Sequence, residues 1–472
     1  MQVPIVDTEQ YRDKVATIDA QGRRIWLHPK KPKGPYYEWR KYVSYGLLLF
    51  LFGMPFIKVG GYPLLLFNIL ERRFIIFGLH FTPQDFHLFV FGMLIFIIFI
   101  ALFTVVFGRL FCGWVCPQTI FMEMVFRRIE YWIEGDANAQ KRLNKAPWNT
   151  DKIIKKGSKQ LIFFTIAILV ANTFLAYIIG IDEVFTIISE PIDQHLSGFT
   201  AMVLFSFAFY FVFSYMREQV CVTICPYGRL QGVLLDKNSI AVYYDFVRGE
   251  PRGKMKRKKQ ALPSAKELIL GDCIDCKLCV QVCPTGIDIR DGVQLECVNC
   301  TACMDACDEV MEKIGRPKEL IRYDSYNGIK QGIRKIFTPR VIAYTAVLAV
   351  LLVIQIVLLV GRSDVETLLL RTPGMLYQQT EQGDISNLYN YQIINKTTKE
   401  MPIEFRLVGI EGKIRLVGKA PVAQKDDITE GALFIDLPPA ALDNRKTKIR
   451  VEVYSAGELI DEVKTNFLGP VK

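Results

Sequence analysis

The chain contains few histidines, and cysteine is absent from both of its ends. Only 4 of its 472 residues are histidine, and His80, His87 and His195 flank or lie outside the apolar stretches instead of facing one another within a bilayer, so haem is not expected. All 12 cysteines fall between Cys112 and Cys307. We therefore expect no disulfide framework. The first 40 residues lack an apolar core, so no cleaved signal peptide is expected.

Charged residues are scarce over five long stretches. Hydrophobic residues make up 51% of the chain, and the mean hydropathy of +0.21 lies between the values of soluble and purely membranous proteins. Length and composition predict membrane spans at about 42–59, 86–108, 160–181, 199–216 and 340–361. A further apolar segment, 64–80, is interrupted by three charged residues and is predicted to be interfacial or re-entrant.

Lysine and arginine are absent from the loop 182–198 and abundant before residue 42 and in the loop 109–158. The positive-inside rule therefore predicts a cytoplasmic N-terminus. With five spans, residues 217–338 lie in the cytoplasm and the C-terminal region lies in the periplasm. Cytoplasmic thiols stay reduced, which suits the cysteine content of residues 217–338.

Two cysteine runs, each with the spacing C-x2-C-x2-C-x3-C, dominate the predicted chemistry. In bacterial-type ferredoxins the first three cysteines of a run bind one [4Fe–4S] cluster and the fourth binds the other. The expected ligands are Cys273, Cys276, Cys279 and Cys307 for cluster 1, and Cys283, Cys297, Cys300 and Cys303 for cluster 2. A structural zinc site, the alternative, would use two CxxC pairs and leave the other cysteines unexplained.

The other four cysteines form two matched CxxxCP motifs. Motif 1 is Cys112-Gly-Trp-Val-Cys116-Pro117 and motif 2 is Cys221-Val-Thr-Ile-Cys225-Pro226. On a helix this spacing places both sulfurs on one face, which suits either a dithiolate site for a soft ion such as Cu(I) or a reversible disulfide. The following proline predicts a chain break or a new helix. These thiols are the candidate catalytic and copper-binding residues, and the alternative is that they only pack at helix ends.

The region after the fifth span has a different character, with short β-prone runs separated by Gly, Pro, Asn and Asp. It contains neither histidine nor cysteine. The pattern predicts an all-β, immunoglobulin-like sandwich, which we interpret as a docking or stabilising module. The predicted division is a cytoplasmic segment 1–41, a four-span core 42–216, a ferredoxin-like 2[4Fe–4S] domain 217–338, a fifth helix 339–361 and a periplasmic β-sandwich 364–472.

The motifs together resemble the CcoG/FixG/RdxA family of cytochrome c oxidase accessory proteins. The resemblance is carried by the paired CxxxCP motifs, the two ferredoxin runs, the stretch Cys283-Pro-Thr-Gly-Ile-Asp-Ile-Arg-Asp-Gly, the segment Cys303-Met-Asp-Ala-Cys307-Asp-Glu-Val-Met and Leu-Ile-Arg-Tyr-Asp at 320–324. It covers nearly the whole chain. Asp308 replaces the proline that ends a generic ferredoxin run, which is similar to the family's own pattern.

The resemblance implies a cupric reductase in the bacterial cytoplasmic membrane that converts Cu(II) to Cu(I) during assembly of a cbb3-type cytochrome c oxidase. The implied cofactors are two [4Fe–4S] clusters, with copper as a further option. The expected partners are the oxidase assembly machinery, copper chaperones or transporters, an unidentified cytosolic electron donor and the lipid bilayer. A homodimer is left open, and no nucleic acid is expected.

Two other functions fit parts of the sequence. A quinol dehydrogenase of the NapH type has four spans, two CxxxCP motifs and a two-cluster domain, but it lacks the fifth span and the β domain. An assembly scaffold whose clusters are structural or sense the redox state would need no electron transfer. The fifth span and the β domain favour the copper-reducing function over the quinol-oxidising one.

Overall fold

The computed structural model describes residues 17–18, 21, 23–70, 73–81, 85–254, 270–397, 399–425, 427–442 and 444–470. In chain order the α-helices are α1 Pro35–Gly53, α2 Phe86–Phe107, α3 Leu110–Trp114, α4 Pro117–Ile120, α5 Arg127–Ile133, α6 Ala137–Lys145, α7 Thr150–Ile179, α8 Ile181–Ser189, α9 Leu196–Phe211, α10 Pro226–Leu234, α11 Phe246–Gly249, α12 Leu278–Gln281, α13 Ala302–Lys313, α14 Tyr326–Gln331 and α15 Pro339–Val360. Short π-helical segments cover Phe121–Phe126, Val212–Met216 and Val220–Ile224.

The strands are β1 Lys58–Val59, β2 Tyr62–Pro63, β3 Leu65–Asn68, β4 Arg73–Ile76, β5 Leu79–Phe81, β6 Ala241–Tyr244, β7 Ile321–Asp324, β8 Val365–Arg371, β9 Gln378–Gln379, β10 Ile385–Asn395, β11 Met401–Pro402, β12 Glu404–Val408, β13 Lys413–Val417, β14 Val422–Ala423, β15 Asp427–Leu437, β16 Lys446–Ser455 and β17 Glu458–Leu468. The chain divides into two compact units. The first contains Met1–Phe56 and Gly92–Leu352, and the second contains Ile57–Phe91 and Val353–Lys472.

Four helices within the described residues are long and apolar enough to cross a membrane: Phe86–Phe107, Thr150–Ile179, Leu196–Met216 and Pro339–Val360. They correspond to the last four predicted spans. The first predicted span, 42–59, differs, because α1 ends at Gly53 and strand β1 begins at Lys58. The start of α1 also carries charged residues, which shortens its apolar part. The number of five spans therefore stays a prediction.

The segment 64–80, predicted to be interfacial or re-entrant, forms the antiparallel strands β3, β4 and β5 in its described part, and its position at a membrane stays a prediction. The hairpin between β4 and β5 turns at Phe77 and Gly78, whose φ angles are +50° and +80°. Positive φ at both central residues is typical of type I′ turns, whose twist matches that of the strands. This turn explains why the apolar run does not continue as a helix.

The residues after α15 form the predicted β-sandwich. One antiparallel sheet has the strand order β13-β15-β10-β8 and a second has the order β12-β16-β17. Alternate residues of β16 are buried, as expected for a strand with one face towards a core. The core includes Tyr389, Ile393, Leu433, Ile435, Val451, Val453 and Phe467. The prediction of an all-β domain is confirmed.

A buried ion cluster ties the end of segment 57–91 to the β-sandwich within the second unit. Asp85 is 3% exposed and accepts hydrogen bonds from Lys396 Nζ at 2.8 Å and Arg362 Nη2 at 2.9 Å. Lys396 also pairs with Glu366 Oε2 at 3.2 Å. Burial acts to raise the pKa of the Asp85 carboxyl, but the two cationic donors outweigh it and hold the pKa below the usual 3.8. No spacing pattern in the sequence indicates this ion cluster, because Asp85 is far from its partners along the chain.

In the first unit, the N-terminus of α1 is capped by a residue from the ferredoxin-like region. Asp305 lies on α13, and its carboxylate accepts hydrogen bonds from the backbone N–H of Tyr36 at 3.1 Å and of Tyr37 at 2.8 Å. A carboxylate here pairs two otherwise free N–H groups and stabilises the positive end of the helix. Gly34 precedes α1 with φ of +141°, and a Cβ on it would lie 2.4 Å from Asp305 Cγ, so glycine is required. The contact fixes α13 against α1.

Candidate metal and redox site

Both CxxxCP motifs have the same local structure. In motif 1, α3 ends at Trp114, Cys116 is extended (φ −57°, ψ 123°) and Pro117 begins α4. In motif 2, a π-helical segment ends at Ile224, Cys225 is extended (φ −66°, ψ 112°) and Pro226 begins α10. Proline suits the first position of a helix because its missing N–H would have no partner there. Each motif is thus a break between two helical segments.

The structure brings the four thiols of the two motifs to one place, here called the four-thiol site. Cys112, Cys116, Cys221 and Cys225 are each partly buried. Burial, with a smaller effect of the neighbouring thiols, raises the pKa of Cys112 to about 11 and of Cys221 to about 12. The thiol that acts most strongly on Cys221 is Cys116 of motif 1, ahead of Cys225 of its own motif. The thiols of the two motifs therefore lie near one another.

Two buried polar side chains face the four-thiol site. Gln231 is on α10, after motif 2, and its Nε2 donates to Cys112 Sγ of motif 1 at 3.2 Å. Thr119 is on α4, after motif 1, and its hydroxyl lowers the pKa of Cys116 and Cys221. By geometry this hydroxyl has no hydrogen-bond partner among the described residues. Each side chain reaches across to the other motif, and no spacing pattern in the sequence indicates either one.

The separation of the ligand groups limits which metal centres fit. In the described part of the chain, no three His, Cys, Asp or Glu side chains lie as close together as the ligands of one metal ion do. A [4Fe–4S] cluster distributes its four cysteines over four iron atoms, so this finding is compatible with the ferredoxin cysteines. At the four-thiol site, a two-coordinate soft ion such as Cu(I) fits because it needs only two thiolates.

The eight ferredoxin cysteines line two cavities of the first unit. The first cavity contains the four cysteines predicted for cluster 2, which are Cys283, Cys297, Cys300 and Cys303, together with Cys279 at its edge. The second contains those predicted for cluster 1, which are Cys273, Cys276, Cys279 and Cys307. Apolar side chains such as Ile287, Ile289 and Met311 complete the walls. The grouping fits two clusters whose fourth ligands are exchanged between the runs.

Motif 1 is in direct contact with the ligand run of cluster 2. A Cβ on Gly113 would lie 2.5 Å from the carbonyl oxygen of Val298 and 2.7 Å from that of Asn299, so the two backbones meet there. The next residue, Trp114, donates from Nε1 to the Tyr323 hydroxyl at 3.2 Å, and this hydroxyl donates to the Asn299 carbonyl at 3.1 Å. The four-thiol site and cluster 2 are therefore adjacent.

Replacing Gly113 by alanine is expected to destabilise this contact by about 1–3 kcal/mol, because backbone atoms on the facing run must move to admit the methyl group. The measurement is the thermal loss of iron–sulfur absorbance in detergent-purified protein. Gly157→Ala is the matched control, since a Cβ on Gly157 in α7 meets nothing within 4 Å. Equal thermal midpoints for the two variants would show that the Gly113 contact is not needed.

A network of buried ion pairs, which no motif in the sequence indicates, lies next to the motifs. Arg127 is 1% exposed and pairs with Glu123 Oε1 at 2.6 Å and with Glu218 Oε2 at 3.3 Å. Its Nη2 also donates to the carbonyl of Pro284, beside a predicted cluster ligand, at 3.0 Å. Arg217 pairs with Glu130 at 2.5 Å. The i, i+4 spacing of Glu123 and Arg127 could have predicted their ion pair from the sequence. The pairs that Arg127 and Arg217 form with distant glutamates have no such spacing pattern.

Comparison with protein families agrees with this arrangement. A family model described as a 4Fe-4S dicluster domain matches residues 216–326, and one described as a 4Fe-4S binding domain matches residues 89–136, which include motif 1. A third, described as an IG-like fold at the C-terminal of FixG, matches residues 355–470. The iron–sulfur chemistry and the β-sandwich thus occur together in a known combination.

The chain is 34% identical to protein RdxA of Cereibacter sphaeroides over 80% of this chain and 77% of that protein. It is 30% identical to the nitrogen fixation protein FixG of Rhizobium meliloti over 88% and 87%, respectively. Protein RdxB of C. sphaeroides is 31% identical over 94% of this chain and 96% of its own length. With its apolar helices and iron–sulfur domains, the protein is a membrane-bound iron–sulfur electron-transfer protein that belongs to the CcoG/FixG/RdxA family.

Proposed function

We propose that this protein reduces Cu(II) to Cu(I) at the four-thiol site and supplies Cu(I) for assembly of a cbb3-type cytochrome c oxidase. The observation that carries the proposal is the convergence of both CxxxCP motifs beside the ligand run of cluster 2. Thiolates are soft ligands that favour Cu(I) over Cu(II). Bound iron–sulfur clusters store and pass single electrons. One electron converts one Cu(II) ion into one Cu(I) ion.

In this function Cys116 and Cys221 hold the copper between the two motifs. Cys116 acts more strongly on Cys221 than the other thiols do, and the Thr119 hydroxyl acts on both thiols. Gln231 positions Cys112 by its hydrogen bond at 3.2 Å. The partial burial of all four thiols limits access of water to the site. The eight ferredoxin cysteines hold the two clusters in the sets given above.

The proposed orientation places the N-terminus, the clusters and the four-thiol site in the cytoplasm and the β-sandwich in the periplasm. The distribution of lysine and arginine supports it. The Asp85–Arg362 ion pair at 2.9 Å is compatible with this orientation, because the four long apolar helices between the two residues return the chain to the same side of the membrane. The membrane is the bacterial cytoplasmic membrane.

The proposed partners follow from the direction of the reaction. A cytosolic one-electron donor supplies electrons, and copper chaperones or transporters of the oxidase assembly machinery exchange copper with the thiols. The charged residues around the clusters do not distinguish one donor protein from another. A second copy of this chain is not required for any residue of the site.

The test is a cupric reductase assay on the purified protein combined with EPR of its clusters. The dithionite-reduced protein, freed of dithionite, is expected to form one Cu(I), trapped by a Cu(I)-specific chelator, for each electron that the clusters lose. A quinol added to the oxidised protein is expected to leave the cluster signals unchanged. Rapid bleaching of the clusters by quinol, with no reoxidation by Cu(II), would instead support a NapH-type quinol dehydrogenase.

A further inference from the structure

Two buried arginines lie between the four-thiol site and cluster 2. Arg40 on α1 is 2% exposed, and its Nε donates to the carbonyl of Gly113, inside motif 1, at 2.6 Å. Arg109, just before α3, is 4% exposed, and its Nη2 donates to the carbonyl of Gly228 on α10 at 3.0 Å. Its Nη1 lies 3.5 Å from the carbonyl of Cys297, a predicted ligand of cluster 2.

Neither arginine has a carboxylate partner within 4.0 Å among the residues that the structure describes. The other buried arginines of this unit differ, since Arg127 pairs with two glutamates and Arg217 pairs with Glu130. Glu296 acts on Arg109 only at longer range, and Glu123 acts on Cys300 while it is paired with Arg127. Both Arg40 and Arg109 therefore keep an uncompensated positive charge.

A buried charge without a counter-ion is costly, so a protein that keeps two of them needs a negative group nearby. Arg109 lies against the backbone of Cys297, a predicted ligand of cluster 2. Arg40 lies against Gly113, where the backbone of motif 1 meets that of Val298 and Asn299 in the same ligand run. Arg40 also acts on the ligand Cys300. A cluster held by four thiolates carries a net negative charge that grows on reduction, and such a group matches these cations.

The surroundings of cluster 1 are different. The arginine that acts on Cys279 is Arg290, and it is neutralised by Asp275 and Asp288, each at 2.6 Å. Asp308 adds a negative charge next to Cys307. Cluster charge is one of the factors that set the reduction potential, because an extra electron is stabilised by nearby cations and opposed by anions. Lys277 also lines the cavity of cluster 1, but its side chain is exposed to solvent, whereas Arg40 and Arg109 beside cluster 2 are buried. The buried charges around the two clusters therefore differ.

We propose that Arg40 and Arg109 are positioning residues whose unpaired charges make cluster 2 the higher-potential cluster, so that electrons collect beside the four-thiol site. The inference deepens the proposed function, because it gives electron transfer a direction from cluster 1 towards the copper-binding thiols. Arg109 contacts both sites through the carbonyls of Gly228 and Cys297, so it also holds them in register.

The test is an EPR-monitored redox titration, which needs no copper. The unmodified protein is expected to show two different cluster potentials. Arg109→Gln and Arg40→Gln are each expected to lower the reduction potential of the higher-potential cluster by about 59 mV, which is a tenfold change in its one-electron equilibrium constant. The potential of the other cluster is expected to stay unchanged. Arg109→Lys and Arg40→Lys keep the charge, so the potential of each is expected to lie close to that of the unmodified protein.

The matched control is the double variant Arg217→Gln, Glu130→Gln, which removes a buried pair of zero net charge and is expected to leave both potentials unchanged. A single common potential in the unmodified protein overturns the proposal even if no variant folds. A shift of the lower potential, or equal shifts of both, also overturns it. Absence of Cu(II) reduction together with the expected potentials would overturn the proposed function and leave this inference standing.

Discussion

Alanine at Cys116 alone, or at Cys221 alone, is expected to lower Cu(II) reduction at least about 100-fold, and the double replacement is expected to lower it no further. The reason is geometric. The strongest interaction of Cys221 is with Cys116 of the other motif, and a two-coordinate Cu(I) needs one thiolate from each. Removing either thiolate leaves a single ligand, so the two residues act as a unit.

The measurement is the rate of Cu(I)–chelator formation by reduced, purified protein whose iron content equals that of the unmodified chain. Val115→Ala, an exposed change inside motif 1, is the control for general disturbance of the motif and is expected to keep the rate. If each motif bound copper independently, each single variant would keep about half of the rate and only the double variant would lose it. That additive pattern would contradict the joint site.

Replacing Asp85 by leucine is expected to lower the free energy of unfolding of the second unit by about 3–5 kcal/mol. The change leaves Lys396, which is 7% exposed, and Arg362 without their shared carboxylate. Removing one partner of a buried ion pair costs more than removing both, since an uncompensated charge stays buried. The double variant Asp85→Leu, Lys396→Met is therefore expected to recover part of the loss.

The measurement is chemical unfolding followed by the β-sheet circular dichroism of the purified protein. A single variant as stable as the unmodified chain would show that the ion cluster does not stabilise the unit. The pH dependence has a definite sign. Because the pKa of Asp85 is held below 3.8, its contribution is fully present above that value and is lost as the pH falls through the lowered pKa.

The parts of the fold that the sequence predicted correctly depend on near neighbours along the chain. Short β-prone runs between Gly, Pro, Asn and Asp placed the strands of the β-sandwich, and long uncharged runs placed α2, α7, α9 and α15. Helix α7 begins at Thr150, before the predicted span 160–181, because Asn149 caps it by accepting from Lys152 N at 2.9 Å. The strands of segment 64–80 were not predicted, because hydropathy counts apolar residues but does not register the turn at Phe77 and Gly78.

The candidate site was predictable only in part. The cysteine spacing indicated the cluster ligands and the matched motifs, and the structure groups the eight ferredoxin cysteines in the predicted sets around two cavities. The convergence of the motifs was not predictable, because Cys116 and Cys221 are far apart in sequence. Gln231, Thr119 and Asp305 were missed for the same reason. Their roles depend on which helices pack together.

The sequence by itself therefore determined the chemistry of this protein: thiolate ligands at ferredoxin spacing, two CxxxCP motifs, apolar helices and a β-sandwich. These are encoded in short-range patterns, since ligand spacing and hydrophobic periodicity act over a few residues. Only the tertiary structure decided that the two motifs form one site, that motif 1 touches the ligand run of cluster 2, and that Arg40 and Arg109 stay unpaired there. Long-range packing sets those contacts, because burial and charge compensation depend on residues that the chain brings together from distant positions.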